Sequence, residues 1–85
     1  MTTIVTEELI EAVLENGAVQ LKENGIVELF EVNTSYGQIC LRAEQEDDLI
    51  LYQVSQYNAG IVEAICTTAN TEVAALVFNH FGTKE

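Results

Sequence analysis

From Ala18 to Gln56 apolar residues recur at every second position in short runs, and Asn24-Gly25 and Tyr36-Gly37 punctuate them; on either side the period is helical. A period of two places one set of side chains on each face of a strand, whereas a period near 3.6 gathers them along one stripe of a helix. The order of these periods constrains the chain to a helix, then adjacent antiparallel strands, then a second helix.

Thr6 reads as an N-cap, Glu7 and Glu8 suit the positive end of a helix dipole, and Leu9, Ile10, Val13 and Leu14 fall at helical spacing before Asn16-Gly17. The pattern predicts a helix over 7–16. Val19 and Leu21 alternate with Gln20 and Lys22, which predicts a strand entering a tight Asn24-Gly25 hairpin. Ile26 to Val32, Gln38 to Ala43 and Leu49 to Gln56 read as further strands, with residues 33–37 as a turn and Glu44-Gln45-Glu46-Asp47-Asp48 as a polar connection.

Residues 57–69 support two readings. The β-branched content of Ile61 to Thr67 favours a fifth strand after Asn58-Ala59-Gly60, while Tyr57, Ile61 and Ile65 at four-residue spacing suit a helix. The strand is preferred. Asn70 then caps a helix over Thr71 to Phe81, closed by Gly82. The expected fold class is α+β, an antiparallel four- to five-stranded meander sheet with an N-terminal and a C-terminal helix, in one domain spanning the 85 residues.

The last helix is apolar almost all round, which a small domain covers with difficulty. Val73, Leu76, Val77, Phe78 and Phe81 are therefore the candidate self-association surface, and a homodimer is the commonest closed form.

Fourteen acids against three bases give a net charge of −11. They are uneven: residues 1–48 hold eleven acids against Lys22 and Arg42, and residues 49–85 hold three against Lys84. Glu7, Glu11 and Glu15 line one face of the first helix at four-residue spacing, with Glu8 beside them. Each like-charged pair costs roughly 0.2–0.5 kcal/mol, and no base in that helix offsets it. Such a surface attracts cationic partners and repels nucleic acid, whose phosphates need Lys and Arg.

Few chemistries fit. His80 is the only histidine, and a catalytic pair would need Cys40 or Cys66 to leave an apolar strand pattern to meet it. Glu44, Glu46, Asp47 and Asp48 lack the ligand spacing and central glycine of a calcium loop. No phosphate-binding loop, dinucleotide fingerprint or nucleophile elbow is present. No enzymatic activity, cofactor or metal is expected. The first residues show no signal-peptide pattern and no apolar run approaches the roughly 20 residues of a membrane span, so a cytoplasmic protein with reduced thiols is expected.

In size, charge and helix-plus-meander layout, the chain resembles the class of small phage-encoded inhibitors that mimic DNA, anti-CRISPR and anti-restriction proteins among them. Acidic immunity proteins and antitoxins that neutralise basic nucleases share these features. The resemblance implies a basic protein partner, such as a nuclease or a CRISPR effector, and because the class has no common motif it carries over no site residue. The uncompensated charge itself marks Glu7, Glu8, Glu11, Glu15, Glu44, Glu46, Asp47 and Asp48 as the partner-binding set. Two other readings stand beside it. One is an oligomeric adaptor working through the C-terminal helix, and the other is a small-ligand or cation module built from Tyr36, Tyr52, Tyr57 and the acidic connection.

Overall fold

The computed structural model describes residues 4–83. Its elements are α1 (Glu7–Asn16), α2 (Ala18–Asn24), β1 (Ile26–Thr34), β2 (Gly37–Glu46), β3 (Leu49–Asn58), β4 (Ile61–Thr68) and α3 (Thr71–Gly82). The four strands form one antiparallel sheet in the order β1-β2-β3-β4, so the α+β meander flanked by helices holds. Register sorts the strand side chains. Phe30, Leu41, Val54 and Cys66 are successive cross-strand neighbours on the face that the helices cover, while Glu28, Arg42, Gln53 and Thr67 are neighbours on the open face.

The core lies between that covered face and the helices: Ile10 of α1, Leu21 of α2, and Ala74, Ala75 and Phe78 of α3 join Ile39, Leu41, Ala43, Tyr52 and Val54. The small residues of α3 let its backbone approach the sheet, and the Phe78 ring tilts at 48° against Phe30, 6.2 Å between centroids. Burying one such side chain contributes roughly 1.5–3 kcal/mol. Thr6 and Asn70 cap α1 and α3, each accepting from the first turn: Thr6 from the Leu9 N–H at 3.2 Å, Asn70 from Glu72 and Val73 at 2.9 and 3.1 Å. The Asn79 amide clasps the backbone of Val5 in both directions, accepting from its N–H at 2.9 Å and donating to its carbonyl at 2.7 Å. That clasp seats the segment leading into α1 on the last helix.

Three local outcomes differ from or resolve the sequence reading. Residues 18–24 form a helix, not the expected first strand. Gly25, at φ 78°, serves as its left-handed C-terminal cap, and its N–H reaches the Leu21 carbonyl at 2.7 Å; Asn-Gly marks a helix end as readily as a hairpin. The apparent alternation was an accident of a short run: Leu21 is buried, but Val19 is 69% exposed. The acidic connection is mostly strand, because Glu44, Gln45 and Glu46 pair with Leu51, Ile50 and Leu49, leaving Asp47-Asp48 as a two-residue turn. Asp47 takes a positive φ of 54° there, which Asp tolerates better than most residues. Residues 61–68 form a strand, and Ile65 is the extra residue of a bulge, which explains its departure from alternation.

Candidate functional site

The helical period of α1 turns Ile10 inward and leaves Glu7, Glu8, Glu11 and Glu15 exposed in one row. Glu11 and Glu15 border a cleft of about 570 Å3 whose apolar lining is Leu14, Ala18, Leu21 and Ile50, with Lys22 and Gln45 completing its wall. Gln45 ties the neighbouring elements together. Its backbone N–H donates to the Gly25 carbonyl at 2.8 Å, and its side chain donates to the carbonyls of Asp47 and Leu49 at 2.8 and 3.3 Å. The acidic tip, Glu46 to Asp48, is thereby held next to the cleft.

Of the eight candidate acids, Glu11 and Glu15 line the cleft, Glu7 and Glu8 extend their row along α1, and Asp47 and Asp48 turn the chain at the β2–β3 tip beyond Gln45. Glu44 and Glu46 do not share the α1 side: they follow Arg42 along the open face, where Glu28 and Glu31 also lie. Sequence reasoning missed Glu28 and Glu31, although their two positions straddle a bulge at Leu29 that brings both to the same face. It also missed the apolar floor of the cleft, which depends on α2 being a helix.

Among the described residues the acids are not locally neutralised. Among the described residues no ion pair closes within 4 Å. Lys22 sits in the cleft wall with Glu11 and Glu15 unpaired, and Arg42 donates to the Gln53 side-chain oxygen at 2.9 Å while its Nε is buried without a partner. Lys84 lies outside the described residues.

The thiols lie on opposite faces of the sheet, Cys40 beside Ser55 on the open face and Cys66 beside Val54 on the covered one, so they do not face each other for a bridge. Burial pushes the Cys40 thiol up from 9.0, Glu28 and Glu31 add to the rise, and Arg42 opposes it. A thiol held protonated in this way is a poor nucleophile. His80 is exposed on α3 with its ring edge-on to Phe81 at 5.0 Å. Tyr36 and Tyr57 are exposed near the β1–β2 turn, at the far end of β2 from the acidic tip, while Tyr52 is in the core. The acidic connection therefore shares no site with the tyrosines. Among the described residues no group of three or more His, Cys, Asp or Glu side chains is placed to hold a metal ion.

Of the proposed self-association set, Phe78 is buried at 4% exposure and Val77 and Phe81 are half-buried. Val73 and Leu76 remain exposed. No helix among the described residues is long and apolar enough to cross a membrane. Compared with known proteins, the chain matches no family model, no curated protein and no solved structure.

Proposed function

We propose that this chain is a non-enzymatic acidic inhibitor that binds a basic nucleic-acid-handling protein, of the nuclease or CRISPR-effector kind, and occupies the groove where that protein holds nucleic acid. One observation carries the reading: Glu11 and Glu15 edge an apolar cleft whose wall residue Gln45 leads into the β2–β3 tip, and among the described residues none of these carboxylates is ion-paired. Unpaired carboxylates on a folded surface attract a cationic groove from a distance, and the apolar floor adds contact area that a purely electrostatic mimic lacks.

The test uses the purified chain against basic nucleic-acid-binding proteins retained from a host lysate and identified by mass spectrometry. Binding should fall steeply between low and physiological salt, where the Debye length shortens to about 8 Å, and double-stranded DNA should compete for the same partner. The triple variant Glu7→Gln, Glu11→Gln, Glu15→Gln should lose binding while remaining folded, with slightly higher stability from the relieved repulsion. Unchanged binding by that variant would overturn the reading.

A further inference from the structure

We infer that the outer edge of β4 is a self-association seam, at which a second copy of this chain adds its own β4 antiparallel to the first and extends the sheet across a twofold axis. The inference does not depend on the inhibitor reading and concerns the opposite edge of the sheet.

β4 ends the strand order, so among the described residues one side of its backbone has no neighbouring strand. Its sequence, Ile-Val-Glu-Ala-Ile-Cys-Thr-Thr, contains no Lys, Arg or Pro, the residues that most often blunt such an edge. Residues Ile61, Val62, Glu63 and Ala64 are all exposed, Ile61 at 63% and Val62 at 58%. On the open face Val62 pairs with Tyr57, itself 47% exposed, which makes an apolar patch beside the unpaired backbone. The bulge at Ile65 is the single blunting device, and it leaves the first half of the strand regular.

Charge and area favour a copy of the same chain over a basic partner. Between Ile61 and Thr83 the only acids are Glu63 and Glu72, so this edge offers a cationic protein little. Two copies bring few like charges together there. The acidic β1 side lies three strand spacings away, roughly 14 Å, beyond the Debye length of about 8 Å at physiological salt. An eight-residue seam is roughly 27 Å long, and a sheet-plus-helix flank roughly 20 Å thick gives about 500 Å2 per copy. The pair then buries about 1,000 Å2, at the lower bound for a specific interface. An interface of that size belongs to the weak, reversible kind. Twofold antiparallel addition satisfies both exposed edges at once.

Sedimentation equilibrium of the full chain from about 1 to about 500 μM tests the proposal. The expected result is a monomer–dimer equilibrium that tightens as salt is raised, because salt screens the repulsion between two anionic copies. The double variant Ile61→Lys, Val62→Lys should weaken it at least tenfold with an unchanged circular dichroism spectrum, and Val19→Lys on α2 should leave it intact. Should the double variant misfold, hydrogen exchange on the unmodified chain decides: β4 amides should gain protection as concentration rises, and β1 amides should not. A monomer at every concentration, a dimer indifferent to the double variant, a dimer abolished by Val19→Lys, or protection rising on β1 instead of β4 would each overturn the proposal.

Discussion

At one edge of the sheet, β1 has α2 packed against it, a bulge at Leu29, and Glu28 and Glu31 on its open face; at the other, β4 has one glutamate and a run of exposed apolar side chains. The contrast shows that covering and charging an edge are done together here. The segment packed against β1, Ala18–Asn24, follows directly from the acidic helix, so the flank carrying most of the acids also carries the added helix. β4 bears little charge and little cover. The molecule thus separates a flank suited to an oppositely charged partner from one suited to strand addition.

Three substitutions break or sharpen this comparison. The largest effect is expected from Gly37→Ala. Gly37 has φ 119°, and a Cβ there would stand 2.5 Å from the Tyr57 carbonyl oxygen, which is backbone and cannot yield cheaply. Both edges hang on the β2–β3 ladder, and forcing it apart should cost at least about 3 kcal/mol, read as loss of the cooperative transition in urea. Leu21→Ala comes next. Leu21 is the only buried side chain of α2, and its truncation should cost about 2–3 kcal/mol. Amide exchange in β1 should accelerate with it, making the two edges alike; unchanged β1 exchange would show that α2 does not protect that edge. The smallest effect is a gain. Ala59 sits at φ 53° in the β3–β4 turn, so Ala59→Gly should relieve about 1 kcal/mol of strain in the hairpin that carries the bare edge and raise the melting temperature by about 4–8 °C.

Much of this fold can be read from residues because local signals agree with tertiary demands. The caps at Thr6 and Asn70 and the apolar stripe of α1 place both outer helices where the periodicity predicts them. α2 escaped because it is about two turns long and buries one side chain, too few positions to distinguish a period of two from 3.6. The acidic run 44–48 hid a strand because backbone pairing across β2 and β3 tolerates polar side chains that face water. Composition identified the candidate acids individually. Their grouping was not legible, since Glu11 and Ile50 share a cleft only after α2 and the β2–β3 turn are in place. The same limit hid the open-face pair Glu28 and Glu31, whose common orientation depends on one inserted residue.

The Val5–Asn79 clasp joins positions 74 residues apart. The segment leading into the first helix is seated by the last one, so its backbone bonds close only after α3 is in place, although α1 itself also packs on β1 and α2. Closing so long a loop is entropically slow, and the acquisition of native structure should therefore be a late, nearly all-at-once event rather than a stepwise accretion from the first turn onward.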